Sequence, residues 1–459
     1  MNPKNVLFVT YYWPPAGGAA VNRTLKFQKY LHQCGWNPII LTVKDGDYPS
    51  EDPSLLHEVD SGTHVFTSKN VSLFAPIRPF LRKGGYLKPR AFANSTDQSL
   101  KTRILRFFKF NIIPDTRIGW RLTAVKKGME LIQSQNIHLI YSTSPPQTNH
   151  IIASVLSRRS GIPWVGDFRD PWSDQFWLKE QKIRLPIADD FDRKLERKTL
   201  NRMTHIVSNS PGLKEILQEK TDVPISVIFN GFDEELFKTG ESTSDSSADG
   251  SPSSDGSPSS KSEFTMLFAG SVSYQHRPAG LIEALNVLKK EKHPLLDVLK
   301  VQFMGSLPTF VEEMFEKAGL AKNLEFLPFR PMNEAIQAMQ QTDILLLLGV
   351  ENSTMGVIPS KLFEYLRCYR PVLAYGLEKD AREILEESGA GYHADFYDLD
   401  GNSAEFIKKV YEGRFQVSDN QESIQKYDRK VLTGQLAALF NQVVESKVAS
   451  VPKNNVKSI

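Results

Sequence analysis

Short apolar runs recur along the chain with stretches of helical periodicity between them. One series reads NVLFVT, PIILTV, HLIYSTS, WVGDF, HIVSNS and ISVIFNG, and a second reads TMLFAG, VQFMG, LEFLPF, DILLLLG and PVLAYG. Strands buried on both faces need continuous rather than alternating apolar runs, and helices between them supply the crossovers. The pattern therefore predicts an α/β chain with two doubly wound parallel sheets. Between the series lies GESTSDSSADGSPSSDGSPSSKS, residues 240–262. This Ser/Gly/Asp/Pro stretch has too little apolar surface to offset its ordering entropy and is expected to be a disordered insertion or a plain flexible linker. The implied division is a first domain at 1–235, the insertion at 236–263, a second domain at 264–415, a terminal helix at 416–447 and a flexible tail at 448–459. In the first helix, Val21, Leu25, Phe27, Leu31 and Cys34 keep mostly to one face, and Gly35 can supply the left-handed residue that ends it.

Composition adds limits. The 459 residues are 40% hydrophobic and 24% charged, with a net charge of +3, which fits an ordinary two-domain globular protein and argues against a nucleic-acid wrapper. The two cysteines, Cys34 and Cys368, both read as helical, suggest neither a disulfide framework nor a metal cluster, and a reducing cytoplasm is compatible with them. The start, MNPKNVLFVTYYWPP, has an apolar run too short for a signal-peptide core, and no segment approaches the roughly 18 apolar residues of a membrane span. The chain is expected to be neither secreted nor embedded.

In a doubly wound sheet, polar residues directly after a strand stand at its carboxyl edge, where ligands bind. Gly17 and Gly18 follow the first strand; their lack of side chains suits either a simple turn or an anion held by backbone amides. His150 follows STSPP, and a histidine at a helix start is equally a core or capping residue. Asp167, Arg169 and Asp170, in VGDFRDPW, read either as an internal ion pair fixing the loop or as an acceptor-side cluster. In the second half, AGSVSYQHRPAG (269–280) carries Gly270 and delivers Arg277 just before a helix. PSKLFEYLRCYRPVLAYG (359–376) places Ser360 to cap a helix, Lys361 at its start and Glu364 one turn inside. A lone Arg or Lys is most often a solvated charge, and a first-turn Glu a dipole-stabilised one. Basic and apolar side chains concentrate at 73–113, a composition that suits either an anionic membrane surface or a helical excursion with a buried face.

The PSKLFEY stretch, the GG loop in YYWPPAGGAAVNR and FNGFDEELF together resemble the retaining glycosyltransferases of family 4, in the subset that reads PSK-x-x-EY. DFRDPW and IPDTRIGW resemble the same subset. The resemblance implies the GT-B fold, two Rossmann-like domains facing a cleft, with the terminal helix returning to the first domain. It also implies transfer of a sugar from a nucleoside-diphosphate donor to a glycan or lipid-linked acceptor, with retention of configuration and without metal or other cofactor. Gly17, Gly18, Gly270, Arg277, Ser360, Lys361, Leu362 and Glu364 would then bind the donor. Arg277 and Lys361 would neutralise the departing diphosphate, His150 would be a catalytic-side candidate, and Asp167, Arg169 and Asp170 would face the acceptor.

The chain departs from the family pattern at two places. Gly270 is followed by Ser271 where many members have Arg, leaving Arg277 as the only cation of that loop. In the family's E-x7-E pattern Glu364 fills the second, ribose-binding place, while the first falls at Gly356; amides around Met355 to Val357 are expected to replace that acid. A sugar-nucleotide epimerase or hydrolase of the same architecture, or a non-catalytic scaffold, remains a rival reading. The expected location is cytoplasmic, with peripheral contact to the inner face of the plasma membrane through 73–113, and no nucleic-acid partner.

Overall fold

The computed structural model describes residues 3–71, 100–174, 184–241, 262–351, 353, 356–418 and 420–450. The chain forms two compact units, one comprising 1–229 with 429–459 and the other 230–428.

The first unit is built on seven parallel strands: β1 (Lys4–Val9), β2 (Trp36–Lys44), β3 (His64–Lys69), β4 (Ile137–Ser144), β5 (Trp164–Phe168), β6 (His205–Ser208) and β7 (Ile225–Val227). Their order is β3-β2-β1-β4-β5-β6-β7, all pairs being parallel. The helices are α1 (Ala19–Leu31), α2 (Leu100–Asn111), α3 (Arg121–Ser134), α4 (Thr148–Ser160), α5 (Pro186–Leu200) and α6 (Pro211–Gln218). One core layer joins Leu7, Val9, Ile39 and Leu41 to Trp120, Ile152, Leu156 and Trp164. The other joins Val6, Phe8 and Ile40 to Val21, Leu25 and Leu31 of α1 and to Leu432, Leu436 and Phe440 of the last helix, Arg429–Ser450. Phe440 meets Trp36 at 5.3 Å and Tyr141 at 5.7 Å between ring centroids, which ties the chain's end to the first unit.

The second unit carries six parallel strands: β8 (Phe264–Ser271), β9 (Leu299–Ser306), β10 (Leu324–Leu327), β11 (Ile344–Leu348), β12 (Val372–Tyr375) and β13 (Gly391–Ala394). Their order is β10-β9-β8-β11-β12-β13. Its helices are α7 (Glu234–Glu241), α8 (Ala279–Lys290), α9 (Leu295–Val298), α10 (Thr309–Lys317), α11 (Met332–Gln341), α12 (Lys361–Arg367), α13 (Lys379–Ser388), α14 (Asn402–Tyr411) and α15 (Gln421–Gln425). Every residue of β11 and β12 is buried, as continuous apolar runs in a sheet covered on both faces require.

Three local expectations need correction. The stretch read as one helix from 416 is two, α15 and Arg429–Ser450, broken around Lys426–Asp428. Cys34 ends a 3-10 turn rather than an α-helix, with Gly35 after it at φ 79°, and Cys368 stands just past α12. Residues 236–241, placed in the insertion, belong to α7, while 242–261 lie outside the described residues. So do Arg78, Phe80, Leu81, Arg82 and Lys83 of the basic-apolar segment.

Each strand order reverses direction once, between β1 and β4 and between β8 and β11. Loops leaving such neighbouring strands diverge and open a crevice at the carboxyl edge. The loops after β1 and β4 contain the GG pair and the approach to His150; those after β8 and β11 contain Arg277 and the PSKLFEY start.

Candidate functional site

In the second unit α12 is fastened to the end of β8. The backbone N–H of Ala269 donates to the Tyr365 hydroxyl at 3.0 Å, and burial pushes that phenol well above its ordinary pKa. Gly270, with φ +146°, lies under Lys361: a methyl group there would fall 2.4 Å from Lys361 Cε and 2.5 Å from Nζ. Glycine is thus required twice over, by backbone conformation and by the lysine. Burial lowers the pKa of Lys361, with Glu364 one turn further on acting in the opposite direction. Burial first, and the Lys361 charge second, also hold His276 below the usual histidine range, while its Nδ1 lies 2.7 Å from Ser273 Oγ. Leu362 is buried in the core, and Glu364 is half-buried. Ser360 does not cap α12: its backbone is helical and its side chain makes no capping bond, because the turn closes instead from Leu362 N–H to the Pro359 carbonyl at 3.0 Å. At the far end Arg367 grips both oxygens of Glu234 at 2.6 and 2.7 Å.

Arg277 stands apart from that contact. Its Nη2 donates to Glu351 Oε2 at 2.6 Å and to the Tyr397 hydroxyl at 2.8 Å, and its guanidinium lies 5.2 Å from the Tyr274 ring centroid and 5.7 Å from that of Phe396. The Gly356 amide is already engaged, donating to Glu378 Oε2 at 2.6 Å; Met355 lies outside the described residues. The expectation of amides replacing the missing acid therefore fails at Gly356, because a carboxylate has come to it.

In the first unit the GG loop is folded against 50–52. Gly17 N–H donates to the Ser50 carbonyl at 2.9 Å and Asp52 N–H to the Pro15 carbonyl at 2.7 Å, so the Gly17 amide is directed at protein rather than at an anion. Gly18, at φ 99°, precedes α1 in a conformation that favours glycine. Asp167 is fully buried and bound to Arg23, with Nη2 at 2.8 Å and Nε at 3.1 Å, and it accepts from Thr143 Oγ1 at 2.8 Å. Burial opposes its ionisation, but Arg23, Arg169 and Thr143 outweigh that and hold its pKa below the usual carboxylate range. Arg23 also donates to the carbonyls of Phe229 at 2.7 Å and Ile228 at 2.9 Å. An ion pair does fix this strand end, but its cation is Arg23 of α1. Arg169 instead donates from Nε to the Ser144 carbonyl at 2.8 Å, and burial raises the pKa of Asp170.

His150 is fully buried between Phe168, 4.4 Å away, and the rings of Trp164 and Trp172. Its Nδ1 is 2.7 Å from Ser142 Oγ, which also accepts from Trp164 Nε1–H at 2.8 Å, while Nε2 has no partner. Burial lowers its pKa to about 3. The imidazole is therefore expected to stay neutral, with NMR resonances that do not titrate between about pH 5 and pH 8, the interval in which an ordinary histidine changes charge. Asp115, from IPDTRIGW, caps α4 from outside by accepting from Thr148 N–H and Oγ1–H, each at 2.8 Å.

Sequence reading missed Arg23, Asp115, Glu351 and Glu378. Arg23 left one trace, a cation among the apolar positions of α1, and a buried cation demands an acid. The other three are surface-type acids in loops, each with a partner from another segment, Thr148 for Asp115, Arg277 for Glu351 and Gly356 for Glu378.

The profile of the glycosyl transferases group 1 matches residues 253–431, and that of Glycosyltransferase Family 4 matches 17–236. No curated protein sequence matches the chain. Among solved structures, a glycosyltransferase from Rickettsia africae is similar over 97% of this chain and 100% of its own, at 14% identity and a TM-score of 0.61. The Anabaena protein HepE, in complex with UDP and glucose, is similar over 96% and 100%, at 15% identity and a TM-score of 0.59. Sucrose-phosphate synthase from Thermosynechococcus elongatus is similar over 96% and 100%, at 14% identity and a TM-score of 0.59. With two doubly wound parallel-sheet units, the chain has the GT-B fold, its first part similar to Glycosyltransferase Family 4 and its second to the glycosyl transferases group 1.

Proposed function

We propose that the chain is a retaining glycosyltransferase that moves a hexosyl or N-acetylhexosaminyl group from a nucleoside-diphosphate sugar to a glycan or lipid-linked acceptor in cell-surface polysaccharide synthesis. The observation that carries the reading is Lys361 held over the bare backbone of Gly270, with Glu364 one turn further along the same helix. A half-buried ammonium beside side-chain-free backbone is a ready seat for a diphosphate. A carboxylate on the same helix accepts two hydrogen bonds from a ribose diol. Arg277 adds Nη1 and Nε as further donors, its Nη2 being held by Glu351 and Tyr397.

In this reaction the bond from the anomeric carbon to the diphosphate oxygen breaks as the acceptor oxygen bonds to that carbon from the same face. The acceptor proton passes to the departing diphosphate. Charge on the leaving group is neutralised by fixed side-chain cations, without metal or cofactor. Asp170 and Arg169 are the acceptor-side groups. Membrane contact is supported by the exposure of Phe107 (39%) and Phe108 (48%) on α2, at the end of the basic-apolar segment. Among the described residues no helix is long and apolar enough to cross a membrane. We place the protein in the cytoplasm, at the inner face of the plasma membrane.

The test is release of free nucleotide from UDP-glucose, UDP-galactose, UDP-N-acetylglucosamine and GDP-mannose, with and without membrane extract. Turnover dependent on extract supports transfer, turnover without it supports hydrolysis or epimerisation, and none with any donor refutes catalysis. In parallel, Glu364→Ala is expected to weaken nucleoside-diphosphate binding about tenfold to a hundredfold, as loss of hydrogen bonds to a charged group implies, with the melting temperature unchanged.

A further inference from the structure

The connection from β11 to α12 lacks the acid that the family pattern places eight residues before Glu364, and Gly356 stands there instead. A carboxylate nevertheless reaches this point from the neighbouring β12–α13 connection. Glu378 is the residue immediately before α13, with φ −67° and ψ 161°, where a side-chain acceptor ordinarily bonds the helix's own amides. Its side chain makes no such bond. It reaches across to the other loop, where Oε2 accepts from Gly356 N–H at 2.6 Å and Oε1 accepts from Ser353 Oγ–H. The loop's near end is held as well, since Glu351 takes the Arg277 guanidinium and the Tyr397 hydroxyl. Five residues beyond Gly356 comes Lys361, and eight beyond it Glu364.

We infer that Glu378 is a positioning residue for the donor site. Its carboxylate ties Ser353 and Gly356 together in the place of the acid missing at Gly356, and so sets the Gly356 backbone beside the transferred sugar. The inference rests on the glycosyltransferase reading of the Lys361–Glu364 helix and goes beyond it in naming what organises the sugar end of that site. Two charge-assisted bonds from one carboxylate define position and orientation together. Releasing them leaves the nucleotide contacts of Lys361 and Glu364 in place, while the sugar-side backbone loses its register. Misplacement by about 1 Å near a reacting centre can lower turnover about a hundredfold.

The experiment uses the full chain with whichever of UDP-glucose, UDP-galactose, UDP-N-acetylglucosamine and GDP-mannose it turns over, and with the matching UDP or GDP alone. Glu378→Ala is expected to lower kcat/KM for the nucleotide sugar about tenfold to a hundredfold, while the Kd for the nucleoside diphosphate changes less than about twofold. Glu378→Gln, which keeps the shape and one acceptor oxygen, is expected to recover part of that loss. Should Glu378→Ala fail to fold, Ser353→Ala removes half of the clasp, with an expected loss of about threefold in kcat/KM alone. Wild-type kcat/KM in these variants overturns the inference, as does an equal loss of nucleoside-diphosphate binding and turnover, the signature of a merely structural tie. If instead wild type and Glu364→Ala bind UDP and GDP equally, the transferase reading itself fails and takes the inference with it.

Discussion

Asp167→Ala is expected to destabilise the protein by about 3–5 kcal/mol, because it leaves the buried Arg23 guanidinium without its counter-ion. Arg23 is 2% exposed and Asp167 is fully buried, so water cannot replace the lost partner. Arg23 would keep neutral partners, among them the carbonyls of Phe229 and Ile228 and the Phe27 ring. Thermal unfolding is the measurement, at about 2–4 °C per kcal/mol for a unit of this size. Combining Arg23→Met with Asp167→Leu should cost less than Asp167→Leu alone, since the pair removed together leaves no orphaned charge. The pH dependence follows from the depressed folded pKa of Asp167. An acid that ionises more readily when folded contributes its full stability above its unfolded pKa, about 4, and loses it as pH falls through the lower folded value. Wild type should therefore show an acid-side loss of melting temperature that Asp167→Asn lacks.

That ion pair marks where the sequence was legible and where it was not. Continuous apolar runs identified the strands except β3, whose mostly exposed HVFTSK has no such run, and β13, whose short, half-buried GYHA has none either, and crossover logic made the sheets parallel. Residues whose role depends on their own element were readable too: Gly35 ends its turn in the left-handed region, and Lys361 and Glu364 fall within one turn of α12. What failed was assignment of partners. Asp167 has a nearby arginine, Arg169, but the bend after β5 sends that side chain to the Ser144 carbonyl and α1 supplies Arg23 from 144 residues away. Arg277 reads as a free cation until Glu351 and Tyr397 arrive from two other loops, and the Gly17 amide reads as open until 50–52 folds against it. Local spacing sets which face of an element a residue occupies; only the sheet order decides which distant loop it meets.

Lys361→Met is expected to lower kcat by about 10²–10³-fold, the range found when one preorganised electrostatic group is removed from a charge-developing transition state. Nothing in this loss should come from unfolding. Burial disfavours the Lys361 ammonium, so an apolar side chain of similar length removes a desolvation cost and leaves the melting temperature equal or higher. A variant that is more stable and nearly inactive would show that the fold tolerates this cation for its chemistry. The pH profile gives a second readout. Because the folded pKa is lowered, the free enzyme loses the ammonium, and with it kcat/KM, as pH rises through a value below the roughly 10.4 of ordinary lysine. A bound diphosphate stabilises the ammonium and raises that pKa again, so the alkaline limb of kcat should lie above that of kcat/KM. Gly270→Ala tests the same contact from the other side: its methyl would meet Lys361 Cε at 2.4 Å in a backbone conformation that L-residues rarely adopt. It should displace the ammonium and depress kcat toward the Lys361→Met level; full activity in Gly270→Ala would mean that the lysine acts from another position.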